Sequence, residues 1–202
     1  MCFNFEASVI AFMIGEISGY LLFKNKDPVY SAFGLFVMWY SFVQLAEAFI
    51  YKNYKTKLAS QLLLFNLFTQ GAVFAFLLHR YNVIDNKLIM LVMALIVCYG
   101  MYKITSSDFE PALLTSNCLS CENIKWPFLS RNTINVLSVM YFLIFYVGFT
   151  HNSKKVNDIT KYFMATLILS FVIPIKNGPS IWCYSSALVA PYLVYLSKIH
   201  RK

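Results

Sequence analysis

Four side chains, two of them aromatic and two strongly polar, follow one another along an otherwise apolar segment. Tyr40, Gln44, Glu47 and Tyr51 are spaced four, three and four residues apart, which on an α-helix places them in one stripe. The segment over residues 30–51 has the length and apolarity of a membrane-spanning helix. A carboxylate at the centre of such a helix costs about 2.5–3.5 kcal/mol, so it is usually paired, lines a polar cavity or serves a function. We therefore interpret this stripe as the functional surface.

A second intramembrane carboxyl group, Glu16, lies near the middle of an apolar segment over residues 5–23. It is next to a ridge of small residues, Ala11, Gly15 and Gly19, whose four-residue spacing predicts close packing of another helix. Two interpretations of Glu16 remain open. It is either a protonated group hydrogen-bonded between helices or a ligand for a proton or cation.

Two amide side chains, Asn66 and Gln70, share a helix face in an apolar segment over residues 58–79. Amides four residues apart can hydrogen-bond a neighbouring helix or border a hydrated path. Hydrogen bonding to a neighbouring helix is the more conservative interpretation. Under the second, the candidate transport or ligand path comprises Glu16, Gln44, Glu47, Asn66 and Gln70.

The cysteines suggest a different chemistry. Cys118 and Cys121 form a CxxC in the longest loop, and one such motif without a second cysteine pair or a nearby histidine pair is a weak zinc signal. We expect a local disulfide or two free thiols there. Cys2 and Cys183 are a further candidate disulfide in an oxidising compartment. Together with Glu47 they could instead bind a soft or borderline metal or exchange with a disulfide.

The composition indicates the medium in which these groups lie. Hydrophobic residues make up 59% of the 202-residue chain and charged residues only 13%, about half the charged share of a soluble domain. Because about 20 apolar residues cross a bilayer, we predict an all-α polytopic membrane protein, a single domain built as a bundle of seven transmembrane helices. The predicted spans cover residues 5–23, 30–51, 58–79, 87–102, 132–150, 159–175 and 180–196.

The basic residues bear on orientation and partners. With the N-terminus outside, ten lysines and arginines lie in the inner loops and tail against seven on the other side. By a small margin this favours a cytoplasmic C-terminus. The net charge of +8 is scattered over loops, as anionic headgroups favour, and forms no nucleic-acid-binding face. The expected partners are the lipid bilayer and a small ion or solute, with homo-oligomerisation left open.

Seven spans also bring distant segments to one membrane face. The start of the first span, the end of the second, the start of the third, the longest loop and the start of the last must share a side. The predicted same-face cluster therefore comprises Cys2, Glu47, Trp182 and Cys183.

Three short motifs mark the first, second and last spans: Met1-Cys2-Phe3, Gln44-Leu-Ala-Glu47 and Ser180-Ile-Trp-Cys183-Tyr. In these motifs the chain resembles an uncharacterised family of small seven-span membrane proteins of bacteria and large DNA viruses. Asn4 stands where that family usually has serine. The resemblance implies the same layout and a candidate site at these motifs, and it implies no particular chemistry.

Three functions fit these features. The first, which we favour, is a small transporter or channel for protons, cations or a small polar solute that uses the intramembrane carboxyl groups and requires no cofactor. The second is a membrane-embedded thiol or metal protein, or an enzyme, built on Cys2, Glu47 and Cys183. The third is a seven-helix sensor without retinal, since no lysine precedes Lys198 in the last span.

Overall fold

The structure, a computed structural model, describes residues 4–81, 87–107, 109–118, 121–151, 153–172 and 190–199. This part of the chain is helical apart from its loops and one β-hairpin. Five of its helices are long and apolar enough to cross a membrane: α1 (Phe5–Phe23), α2 (Pro28–Tyr51), α3 (Thr56–Arg80), α4 (Lys87–Thr105) and α5 (Arg131–Thr150). The helix α6 (Lys154–Val172) follows, and residues 190–199 are also helical.

The helices expose apolar side chains and bury polar ones. Ile17, Leu95 and Phe142 are all more than half exposed, whereas Gln44 and Glu47 are buried. A soluble protein places such residues the other way round. Lipid permits this arrangement, because lipid-facing side chains can be apolar and polar groups must find partners inside. The arrangement is that of a multi-pass membrane protein.

Helices α1 and α2 pack at very close range. A Cβ atom added at Gly34 would lie 2.4 Å from the backbone nitrogen of Phe23 and 2.6 Å from the carbonyl oxygen of Gly19. The two backbones can approach this closely because glycine carries no side chain. Ala11, Gly15 and Gly19 are all buried, so the predicted small-residue ridge is confirmed, and its partner is α2.

The loop between α1 and α2 is tied to the start of α6. Asp27 caps α2 by accepting a hydrogen bond from the Val29 N–H at 2.9 Å, and Pro28 occupies the first turn, where its missing N–H is not needed. The Asp27 carboxylate also forms an ion pair with Lys155. Burial by itself raises the pKa of Asp27, but the hydrogen bonds from Lys155 and Val29 outweigh it and hold the pKa below its usual value. The carboxylate is therefore charged at neutral pH.

The longest loop contains a β-hairpin that we did not predict. Strand β1 (Leu113–Cys118) pairs antiparallel with β2 (Cys121–Lys125), and both strands contact α2. The strands show neither alternating apolar residues nor an Asn-Gly turn, the usual sequence signals of a hairpin. An isolated hairpin is marginally stable at best, so we attribute its stability to packing on the helices. Its register places Cys118 opposite Cys121; the disulfide between them stays a prediction.

Four of the five segments predicted to share a membrane face do meet. The Lys52 ammonium, just after α2, lies 4.6 Å from the Phe5 ring centroid at the start of α1. The N–H of Ala112, before β1, donates to Ser60 Oγ near the start of α3 at 2.9 Å. We call this the hairpin end of the bundle. The fifth segment, the start of the last span, lies outside the described residues.

Helix boundaries differ from the predicted spans mainly after α5. Helix α6 begins at Lys154 rather than at residue 159, because its polar first turn, in which Lys155 pairs with Asp27, extends beyond the apolar segment. Most of the seventh predicted span falls on residues that the structure does not describe. The helical segment 190–199 runs past the predicted end at 196 and packs on α6, where the hydroxyls of Tyr162 and Tyr192 are 2.8 Å apart.

Candidate functional site

The predicted stripe of α2 faces the interior of the bundle. Tyr40, Gln44, Glu47 and Tyr51 are all buried, and Gln44 and Glu47 are each only 1% exposed. Helix α2 can bury this face because it packs against α1, α3 and the hairpin. Glu47 lies about one turn before the end of α2, and therefore near the hairpin end.

The amide of Gln44 has a donor that is not used. Its Nε2 atom is buried and has no hydrogen-bond partner in the part of the chain that the structure describes. Leaving a buried donor unpaired costs about 1–3 kcal/mol, and such a group calls for a specific explanation, for example a water or an ion. The Glu47 carboxyl, about one turn away, supplies acceptor oxygens at similar depth. We refer to Gln44 and Glu47 as the Glu47 site.

Ser8 also belongs to this region, although we did not single it out from the sequence. Its hydroxyl is buried and has no hydrogen-bond partner among the described residues. Helices α1 and α2 run antiparallel, and Phe12 meets Phe42 with ring centroids 5.5 Å apart. Ser8, one turn before Phe12, therefore lies at about the depth of Glu47, roughly one turn after Phe42. The sequence did contain a signal for Ser8, because this residue lies three positions before Ala11 and so shares a helix face with the small-residue ridge.

Glu16 lies apart from the Glu47 site, half-buried on the flank of α1. Its Oε1 atom is 2.5 Å from Ser41 Oγ of α2, and the same hydroxyl oxygen is 2.8 Å from the carbonyl oxygen of Met38. Ser41 and Glu47 are six residues apart on α2, which corresponds to about 9 Å along the helix axis. The structure therefore does not bring the two carboxyl groups into contact.

The two amides of α3 form a hydrogen-bonded chain across three helices. The Tyr141 hydroxyl of α5 donates to Gln70 Oε1 at 2.6 Å, and Gln70 Nε2 donates to Asn66 Oδ1 at 2.9 Å. Asn66 Nδ2 in turn donates to the carbonyl oxygen of Trp39 in α2 at 2.7 Å. Each link joins one donor to one acceptor, so these amides are engaged with neighbouring helices. This geometry supports the helix-linking interpretation of Asn66 and Gln70.

Tyr141 also borders a small cavity between α2, α3, α5 and α6. The cavity has a volume of about 20 Å³, which is room for about one water molecule. Its walls are largely aromatic and include Phe36 and Phe74, whose ring centroids are 5.1 Å apart in an edge-to-face contact. A cavity of this size and lining provides no continuous hydrated path.

Three members of the predicted same-face cluster lie outside the described residues: Cys2, Trp182 and Cys183. Glu47 is the described member of that cluster. Within the described ranges, no group of three or more histidine, cysteine, aspartate and glutamate side chains is placed to hold a metal ion. Cys98, on α4, is exposed.

Comparison with known proteins adds no relative from which a function could be transferred. No family model matches the chain, and no curated protein and no solved structure is significantly similar to it. The case for a functional site therefore rests on the geometry of the Glu47 site and of Glu16.

Proposed function

We propose that the protein is a small membrane transporter in which the Glu47 site handles a proton, a cation or a small polar solute. The observation that carries this proposal is the burial of a carboxyl group, 1% exposed, next to the Gln44 amide, whose Nε2 has no hydrogen-bond partner among the described residues. Ionisable groups buried inside a membrane bundle are costly and mark ion or substrate pathways in many transporters. The buried Gln44 donor calls for a specific explanation, and an ion or solute bound at the Glu47 site would supply one.

A transporter fits the described geometry better than a permanently open channel. The cavity between α2, α3, α5 and α6 has room for only about one water molecule. The amides of Asn66 and Gln70, which could have lined a path, instead join α3 to α2 and α5. Passage of a solute would therefore require helices to move, as in alternating access.

The layout is part of the proposal. Helices α1 to α5 correspond to the first five predicted spans, and we propose two further spans, membership of the seven-span family and an outer N-terminus. The hairpin end then faces outward, and the opposite end faces the cytoplasm in accordance with the positive-inside rule.

This orientation can be tested with an impermeant amine reagent added to intact cells. The reagent should modify Lys55 and Lys57, which lie at the hairpin end, and spare Lys24 and Lys26. The reverse pattern would contradict the proposed orientation.

The transport proposal can be tested with protons as the probe. Purified protein is reconstituted into liposomes that contain a pH-sensitive dye, and a potassium diffusion potential drives proton entry. We expect the wild-type protein to acidify the lumen faster than protein-free liposomes do. Glu47→Gln keeps the shape of the side chain and removes its ability to exchange a proton. It should lower the excess rate at least about tenfold, equivalent to about 1.4 kcal/mol in the barrier.

Glu6→Gln is the matched control, because Glu6 is exposed near the hairpin end of α1 and its variant should keep the wild-type rate. Equal elution of all proteins in size-exclusion chromatography shows that the variants are folded. If the wild type is no faster than protein-free liposomes with protons, sodium or potassium as the permeant ion, the transport proposal fails. If Glu47→Gln retains the full rate, the assignment of the site fails.

A further inference from the structure

We propose that Glu16 is a second proton-binding site, which carries its proton at neutral pH and opens to the lipid side of the groove between α1 and α2. This inference rests on the contact between Glu16 and Ser41. It does not depend on the Glu47 site and would hold if Glu47 had no part in transport.

The Ser41 hydroxyl has two oxygen neighbours and one hydrogen to share between them. It lies 2.5 Å from Glu16 Oε1 and 2.8 Å from the Met38 carbonyl oxygen. If Glu16 is ionised, Ser41 can donate fully to only one of these acceptors. If Glu16 is protonated, its O–H donates to Ser41 Oγ, and Ser41 donates to Met38. The protonated form therefore turns both contacts into hydrogen bonds.

The surroundings of Glu16 also favour its protonated state. The ion pairs found among the described residues join Asp27 to Lys155 and Asp158 to Lys161, and neither includes Glu16. On the inner side, a Cβ atom added at Gly15 would lie 2.6 Å from Ser41 Cβ, so water cannot enter between the helices there. An uncompensated carboxylate at this depth would be costly, and protonation removes that cost.

The outer side of Glu16 is open. Its neighbours on the outward face of α1, Met13, Ile17 and Tyr20, are 50%, 56% and 52% exposed. These side chains form an apolar surface of the kind that faces hydrocarbon. Glu16, at the edge of that surface, is half-buried. A hydrophobic reagent dissolved in the bilayer can therefore reach its carboxyl group, whereas Glu47 is buried out of reach.

Dicyclohexylcarbodiimide tests this proposal, because it dissolves in lipid and reacts with protonated carboxylic acids. The carboxyl oxygen bonds to the central carbon of the reagent while the acid proton moves to one of its nitrogens. The acyl group then shifts to nitrogen and gives a stable N-acylurea that retains the whole reagent. At pH 8 we expect modification of Glu16, whose proton is held in the contact with Ser41, to exceed that of the exposed Glu6 at least about tenfold.

Fragment mass spectra locate the adduct, since Glu6 and Glu16 can be distinguished by sequence ions. Glu16→Gln should abolish the adduct, and Glu6→Gln, which also lies on α1, should leave it unchanged. The proposal is overturned if the wild-type protein in bilayers gains no adduct at Glu16. It is also overturned if modification of Glu16 and Glu6 declines over the same pH range. Because the readout is covalent modification and not flux, its failure is distinct from failure of the transport proposal.

Discussion

Gly34→Ala is expected to destabilise the protein by about 1–3 kcal/mol, the usual cost of an added methyl group in a well-packed interior. The added Cβ would lie 2.4 Å from the backbone nitrogen of Phe23 and 2.6 Å from the carbonyl oxygen of Gly19. Backbone atoms cannot rotate away as a side chain can, so α1 must move as a whole. Moving α1 also disturbs the contact between Glu16 and Ser41. Thermal unfolding in detergent, followed by circular dichroism, measures the loss.

Gly71→Ala is the matched control for this change. Both substitutions are in helices and bring the same gain in intrinsic helix propensity, about 1 kcal/mol. At Gly71 the added Cβ meets the side chains of Met140 and Met93, which are flexible and can adjust. We therefore expect a smaller loss for Gly71→Ala. Equal stability of the two variants would contradict the close backbone contact between α1 and α2.

Gln70→Leu is expected to be the most damaging change in the hydrogen-bonded chain. The substitution removes the acceptor of the Tyr141 hydroxyl and the donor to Asn66 Oδ1. Interhelical hydrogen bonds in membrane proteins contribute about 0.6 kcal/mol on average and up to about 1.7. The loss of two such bonds should therefore cost about 1–3 kcal/mol. Unfolding of the purified protein by sodium dodecyl sulfate in mixed micelles measures this loss.

Two tyrosines on α5 provide the comparison for Gln70→Leu. Tyr141→Phe removes only the last link of the chain and should cost less than Gln70→Leu. Tyr146→Phe changes a hydroxyl on an exposed side chain of the same helix and should cost almost nothing. In the double variant Gln70→Leu/Tyr141→Phe the losses should be clearly less than additive, since both changes break one shared bond. Additive losses would show that Gln70 and Tyr141 do not interact as the structure shows.

Much of the helical layout could be predicted from the sequence, because hydrophobic periodicity and segment length are local properties. The ends of α1 at residues 5 and 23 were predicted correctly, as was the ridge that includes Gly15 and Gly19. The hairpin was not predicted, because the residues of β1 and β2 carry no pattern of their own. The early start of α6 was missed because its first turn is polar.

The sequence by itself determined that the chain suits a membrane and that Glu16, Gln44 and Glu47 belong to apolar segments, in which polar groups are costly. Only the tertiary structure decided which helix faces which, and hence the partners of those groups. It placed Ser41 next to Glu16, and it joined Gln70 to Tyr141, which lies 71 residues further along the chain. The physical reason is that periodicity defines the face of a helix on which a side chain lies. The neighbour of that face depends on contacts between segments distant in sequence.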